Sequence, residues 1–382
     1  MAKYNAENER VKRKYLGWVG EAKQCSVATV DAIAKALSRF EGYNRYKSFR
    51  VFRDEQAVGF KKHLLSQASE RSGERLSKST VRATLAHLSR FFFWLADQPG
   101  YKSRLQHSDS EYFSLSKKDE RIASAHTPRQ VPTLEQVKLA IQLMRHQTEI
   151  ELRNRAVMAF ILLTGARDSA VASMKLRHID LVRGFVFQDA RDVKTKFSKT
   201  ITTFFFPVGP EIIEIVRDWV RFLVEEKHWG NDDPLFPATK VALGESRQFE
   251  PCGLHQKHWS NTQAIRRIFR EAFEAARLPY FSPHSLRSTL AQFGLARCGS
   301  PEGLKALSQN LGHEQVLTTL MNYGRVAEDR QGEIIRGLTV RSADTRDEKD
   351  IYADAVVKRL LASGVQLIPA QSSPPETAEG ER

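Results

Sequence analysis

Apolar side chains recur at three- and four-residue steps through the first third of the chain, the spacing of helices that bury one face. The clearest segment is 79–97. Its apolar positions are Val81, Leu85, Leu88, Phe92 and Leu95. Ser79 or Thr80 is expected to cap this helix, because a hydroxyl there accepts an otherwise unpaired backbone N–H. Two more helices are predicted near 26–40 and 54–69, so residues 1–125 are expected to form a helical domain.

The pattern becomes mixed in the second part of the chain. Residues 100–132 are rich in serine and charge and end in two prolines, so we expect the interdomain linker there and place it at 126–132. Thr133 is expected to cap a helix that runs to Met144. Residues 185–188 and 201–206 are rich in aromatic and β-branched side chains, which predicts two strands around a basic hairpin tip at 193–200. Further helices are predicted near 156–163, 210–227, 261–276, 285–298 and 301–311.

These patterns predict a mostly α fold with a small antiparallel β-sheet in a second domain, residues 133–340. The tail, 341–382, has a different composition. Residues 350–363 could form one amphipathic helix, whereas the Ser-, Pro- and Glu-rich stretch after Pro369 is expected to be disordered.

The chain carries a net charge of +14, and most of the excess lies near the N-terminus. Residues 1–130 contain 25 Lys and Arg against 14 Asp and Glu. Such a surplus favours a polyanionic partner, although a solvated basic surface is an equally ordinary explanation. The three cysteines are too few and too scattered for a disulfide framework, and no signal peptide or membrane-spanning stretch is visible. We therefore expect a cytoplasmic protein without a membrane partner.

Four short patterns could carry chemistry, although each has an ordinary structural explanation when taken alone. The sequence TGAR places Arg167 after a turn at Gly165. The hairpin tip contributes Lys194, Lys196 and Lys199. The sequence PHSLR places His284 and Arg287 one helical turn apart, so that both could grip one phosphate. The sequence LGH ends at His313 and is followed by Tyr323.

In this order, TGAR, the basic hairpin, HxxR, LGH and the tyrosine resemble the catalytic domain of the tyrosine recombinases, the phage-integrase family. The resemblance covers about residues 130–340, and residues 1–125 look like the family's core-type DNA-binding domain. It implies a C-shaped two-domain clamp around double-stranded DNA at specific recombination sites, with a homotetramer on paired sites. It also implies a nucleoid-associated enzyme that integrates or excises a mobile element and needs no cofactor and no metal.

The resemblance also implies a role for each residue. Arg167 and Arg287 would clamp the scissile phosphate, with His284 between them, and His313 would bond a non-bridging oxygen. Tyr323 would attack the phosphate, and Lys194 or Lys196 would protonate the leaving 5′ oxygen, with Lys199 in reserve. This chemistry is physically reasonable, because cations aimed at the phosphate oxygens stabilise the charge that gathers in the transition state. They also favour the phenolate of a tyrosine nucleophile.

Three positions depart from the family's pattern. Ala170 stands where an acidic residue is usual, and Asp168 is the only acid nearby. Tyr323 lies ten positions after His313, one more than usual, and Ser288 stands where many relatives have histidine. Two alternatives therefore stay open, a type IB topoisomerase-like relaxing enzyme and a non-catalytic DNA-binding protein.

A zinc site is a much weaker reading of the sequence. Cys252, His255 and His258 follow at three-residue steps, but no fourth ligand follows at a usual spacing. We interpret these residues as part of a loop and a helix start.

Overall fold

A computed structural model of the chain describes residues 4–68, 73–124, 130–243, 247–323, 331–332 and 335. The chain divides into two compact units, residues 1–129 and 130–382, and each unit has its own hydrophobic core. The predicted fold class, mostly α with a small antiparallel sheet, is confirmed.

The first unit is built from helices. They are α1 (Ala6–Gly17), α2 (Val27–Tyr43), α3 (Asp54–Ser66), α4 (Lys78–Ala96) and α5 (Lys117–Ser124). The predicted apolar face of α4 is buried throughout. Phe40 lies at the centre of the core, fully buried and in contact with several other rings. Its ring partners are Phe49, Phe52, Phe60, Phe92 and Phe113.

A polar network lies inside this aromatic core. The Glu41 carboxylate accepts a hydrogen bond from the Asn8 side-chain amide at 3.1 Å and pairs with the Lys12 ammonium. The Asn8 oxygen accepts the Phe49 N–H at 3.0 Å. Because Glu41 is 2% exposed, its charge depends on these partners to offset the lost hydration.

One expectation for this unit was wrong. Helix α4 begins at Lys78, because Ser77, and not Ser79 or Thr80, accepts the Thr80 N–H and caps the helix. Residues 101–124 pack within the first unit, although their Ser-rich and charged composition gave no sign of a core. Phe113 and Leu115 are buried in the core, and the Lys61 ammonium donates to the Ser114 carbonyl at 2.8 Å. Buried side chains separated by polar residues have no helical period, so the pattern along the chain did not reveal them.

The second unit combines eight helices in its described residues with two small sheets. The helices are α6 (Leu134–Leu143), α7 (Glu149–Thr164), α8 (Asp168–Val171), α9 (Pro210–Arg221), α10 (Gln263–Ala275), α11 (Pro283–Leu295), α12 (Pro301–Asn310) and α13 (Val316–Tyr323). Thr133 caps α6 as predicted, in a reciprocal pair with Gln136. Every residue of α7 from Ala156 to Thr164 is buried, so this helix forms the centre of the core.

The first sheet contains the predicted strands. Strands β1 (Ile179–Asp180), β2 (Phe185–Gln188) and β3 (Ile201–Phe204) pair antiparallel in chain order. Gln188 pairs with Ile201, so residues 189–200 form the basic connection between β2 and β3.

A second hairpin was not predicted. Strands β4 (Ala238–Leu243) and β5 (Phe249–His255) form an antiparallel ribbon. The buried Arg153 of α7 holds the start of this ribbon by donating to the Pro237 carbonyl and the Thr239 hydroxyl, each at 2.9 Å. Cys252 and His255 therefore lie on a strand, which corrects their interpretation as a loop and a helix start.

Some expectations lie outside the described residues. The predicted helix at 350–363 and the tail at 341–382 do, and so does most of the proposed linker. Among the helices that the structure describes, none combines the length and apolar composition of a transmembrane span.

Candidate active site

The turn after α7 presents Arg167. Gly165 ends the helix in the left-handed region at φ 61°, and its N–H donates to the Ile161 carbonyl. The Thr164 hydroxyl donates to the Phe160 carbonyl at 2.7 Å and accepts the Ala166 N–H at 3.1 Å. A Cβ on Gly165 would lie 3.3 Å from Leu290, so both the conformation and the space favour glycine. The half-buried Arg167 follows as the first flanking residue of α8.

Arg287 joins two of the predicted motifs. Its side chain is 4% exposed, and one guanidinium nitrogen donates to the Gly165 carbonyl at 2.9 Å. The other donates to the Leu311 carbonyl and lies 3.3 Å from Nε2 of His313. The guanidinium therefore connects the turn before Arg167 to the turn before His313.

His284 lies on the same helix as Arg287 but at its exposed end. Helix α11 begins at Pro283, whose missing N–H costs nothing in the first turn. His284 is exposed, one turn before the buried Arg287. The N-terminal part of α11 thus carries both the buried guanidinium of Arg287 and the exposed imidazole of His284.

His313 lies where the charges of the other candidate residues meet. Burial lowers the pKa of His313 to about 4, and nearby cationic side chains act in the same direction. In order of effect they are Arg287, Arg167, His284 and Lys196. Its Nδ1 lies 2.8 Å from the Thr319 hydroxyl, which belongs to the helix that ends at Tyr323. The structure thus gathers the four motifs, which are far apart in sequence, around one imidazole.

The three hairpin lysines have different surroundings. Lys194 is exposed, and its backbone N–H donates to the Ser173 hydroxyl at 2.8 Å. Burial lowers the pKa of His258 most, and the charges of Lys175 and Lys194 lower it further. Lys199 is paired with Glu314. Lys196 is exposed, and its charge contributes to the lowered pKa of His313.

The position without its usual acidic residue is part of the core. Ala170 is 1% exposed, so a methyl group takes the place of a carboxylate there. Asp168 accepts two hydrogen bonds from the Arg266 guanidinium, at 3.1 and 3.2 Å. Its carboxylate is thus already engaged by a cation from α10.

Sequence reasoning assigned no role to Thr319 or Ser173. Thr319 is fully buried against His313, and Ser173 holds the backbone at Lys194. The spacing of Thr319, four residues before Tyr323, is a helical spacing that could have drawn attention to it. No local signal marks Ser173, because its partner is far away in sequence.

Comparison with known proteins identifies the family of the chain. The family model described as the phage integrase family matches residues 131–330, more than half of the chain. The chain belongs to the phage integrase family. Members of this family are DNA strand-transferring enzymes without a metal or ATP requirement, so the predicted family and enzyme class are both confirmed.

Individual relatives are distant. Tyrosine recombinase XerC of Halalkalibacterium halodurans is 24% identical over 311 residues, covering 76% of this chain and 87% of the relative. The Tn1549 transposon integrase in complex with transposon right end DNA has a TM-score of 0.56 at 15% identity, with 87% of this chain and 100% of that chain covered. The lambda integrase tetramer bound to a Holliday junction has a TM-score of 0.53 at 14% identity, with 81% and 80% covered. At such low identities, the two structural likenesses show the fold alone.

Proposed function

We propose that this integrase-family protein is a site-specific recombinase that cleaves and rejoins DNA through a 3′-phosphotyrosine bond at Tyr323. The observation that carries the proposal is the gathering of Arg287, Arg167, His284 and Lys196 around His313, beside the helix that ends at Tyr323. Such a concentration of cations suits a phosphodiester, whose transition state gathers negative charge on its oxygens.

The proposed reaction is a balanced transesterification. The Tyr323 oxygen forms a bond to phosphorus, the bond to the 5′ oxygen breaks, and that oxygen receives a proton. Arg167 and Arg287 would bind the non-bridging oxygens as bidentate donors, and His313 would donate to one of them. One phosphoester replaces another, so attack by a 5′-hydroxyl reverses the step without an external energy source.

Lys196 is our choice for the proton donor to the leaving oxygen. The charge of Lys196 contributes to the lowered pKa of His313, whereas the charge of Lys194 contributes to that of His258 and Lys199 is paired with Glu314. A flexible, exposed ammonium can follow the leaving oxygen as the bond lengthens.

The proposed partner is double-stranded DNA, and the proposed active assembly is a homotetramer on paired sites. The basic first unit would contact the backbone, and the two units would close around the duplex as a clamp. The lambda integrase tetramer on a Holliday junction supports this by likeness of fold. Such a protein would act at the nucleoid in the cytoplasm.

We further propose that the reaction integrates or excises a mobile element, as the likeness to the Tn1549 transposon integrase suggests. The XerC relatives favour a second candidate, a housekeeping recombinase whose site need not lie beside its own gene. The genomic location of the DNA that forms the covalent adduct, beside the gene or elsewhere in the chromosome, distinguishes these two candidates.

Trapping the covalent intermediate tests the function. Nicked duplexes that tile the DNA flanking the gene, together with fragments of the host chromosome, are incubated with the wild-type protein, Tyr323→Phe and the control Tyr280→Phe. Tyr280 is an exposed tyrosine of the same unit, so this variant removes a matched hydroxyl. We expect a denaturant-stable adduct from the wild type and Tyr280→Phe, and none from Tyr323→Phe.

Each other outcome contradicts a specific statement. An adduct that persists in Tyr323→Phe would assign the chemistry to another residue. Tight DNA binding without any adduct would support the non-catalytic alternative. Relaxation of plasmids without sequence preference would support the topoisomerase-like alternative.

A further inference from the structure

The hydrogen bond between Thr319 and His313 joins two parts of the candidate site. The Thr319 side chain is 0% exposed, and its hydroxyl oxygen lies 2.8 Å from Nδ1 of His313. Thr319 lies four residues before Tyr323 in α13, the helix that ends at Tyr323. The bond thus ties the helix that carries the proposed nucleophile to the imidazole proposed to contact the phosphate.

The position of Arg287 determines where the imidazole proton lies. A guanidinium has donors and no acceptor, so the contact at 3.3 Å requires that Nε2 of His313 accepts. A neutral ring then carries its proton on Nδ1 and donates it to the Thr319 oxygen. In this state Nε2 has no proton to give to a phosphate oxygen.

Two routes could make Nε2 a donor. The ring could gain a second proton, or it could exchange tautomers, in which case Nε2 takes a proton from water and Nδ1 releases its own to water. Burial of the ring opposes the first route, and so do the nearby charges, because all of them lower the pKa of His313: Arg287, Arg167, His284 and Lys196. One phosphodiester charge does not neutralise two guanidiniums, so the neutral ring stays favoured after DNA binds.

We propose that Thr319 is a positioning residue that lets His313 exchange tautomers without moving. The hydroxyl oxygen can accept a hydrogen bond from Nδ1–H in the free enzyme, and the hydroxyl can donate a hydrogen bond to bare Nδ1 when Nε2–H binds the phosphate, so that Thr319 keeps its own proton in both states. The same contact therefore survives in both states, and the ring stays aligned with the helix of Tyr323. This inference rests on the proposed function.

Kinetics of adduct formation at saturating DNA provide one test, with duplexes captured as described above. We expect Thr319→Val, which keeps the shape and removes the hydroxyl, to slow adduct formation by about tenfold or more, the scale of one buried hydrogen bond. Affinity for DNA should stay within about threefold, because Arg167 and Arg287 are unchanged. Thr319→Ser should restore the rate, and the neighbouring Thr318→Val should match the wild type.

A wild-type rate in Thr319→Val would overturn the inference. A parallel loss of DNA affinity, or a failure of the Ser variant to restore the rate, would assign Thr319 to folding alone.

Nitrogen NMR of histidine-labelled full-length protein reads the tautomer directly, with His313→Gln used to assign the signal. In free Tyr323→Phe protein at about pH 7 we expect a neutral ring with its proton on Nδ1. With a captured duplex bound, the proton should be on Nε2. A cationic ring, or a proton that stays on Nδ1 in the complex, would overturn the inference.

The free-protein spectrum needs no DNA, so a free ring protonated on Nε2 contradicts this inference even if adducts form. Absence of an adduct from the wild type contradicts the proposed function itself. The two failures are therefore distinguishable.

Discussion

Replacing Arg287 with lysine should both abolish catalysis and loosen the site, because this guanidinium holds two turns together. It donates to the Gly165 carbonyl at 2.9 Å and to the Leu311 carbonyl from a position that is 4% exposed. Lysine keeps the charge but is a point donor, so it can satisfy only one of the two carbonyls well.

The magnitude follows from the lost bond. A hydrogen bond to a charged group contributes about 1.5 to 3 kcal/mol, and the abandoned carbonyl stays buried. We therefore expect Arg287→Lys to lower the free energy of local opening by about 2 kcal/mol, which is about a 30-fold increase in the open fraction.

Hydrogen–deuterium exchange with peptide resolution measures this opening where it occurs. Peptides from the end of α7 and from the turn after α12 should exchange about 30-fold faster in Arg287→Lys, and peptides of the first unit should not change. Arg167→Lys is the matched control: its half-buried side chain should matter less for opening, although its adduct formation should also be lost. If exchange in Arg287→Lys equals that of the wild type, the carbonyl contacts do not hold the turns and our reasoning is wrong.

Three further predictions concern single positions. Lys196→Ala should lose adduct formation and regain it on a substrate in which sulfur replaces the leaving 5′ oxygen, because a thiolate leaves without being protonated. Lys194→Ala should keep most activity, and the reverse pattern would make Lys194 the proton donor. Glu41→Leu should destabilise the first unit by about 2 to 3 kcal/mol in urea unfolding, because the buried Lys12 ammonium and Asn8 amide lose their buried acceptor and Lys12 keeps only the more exposed Glu9. Adding Lys12→Met should recover most of that loss. If Glu41→Leu alone were as stable as the wild type, the buried pair would not stabilise the first unit. Gly165→Ala should cost about 1 to 2 kcal/mol in thermal unfolding, because φ is 61° there, and an unchanged melting temperature would contradict that strain.

Local patterns predicted those features that depend on neighbouring residues. The apolar face of α4, the Thr133 cap and the strands around the basic hairpin all follow from contacts within a few residues, so the sequence shows them directly. The order of the motifs also indicated the family, because each motif is a short turn or helix start with its own residue requirement.

Tertiary structure decided what depends on residues distant in sequence. Residues 101–124 join the first core, and the β4–β5 ribbon is held by Arg153, without a periodic signal in either segment. The HxxR spacing indicated that Arg287 could bind phosphate, but not that it is buried between Gly165 and Leu311.

The hairpin lysines show the same division. Their sequence pattern left Lys194 and Lys196 equivalent, because both lie in one basic stretch. The packing of that hairpin places Lys196 among the charges that lower the pKa of His313 and Lys194 among those that lower the pKa of His258. Residue type and spacing are properties of the chain, whereas burial and the meeting of charges arise when distant segments pack together.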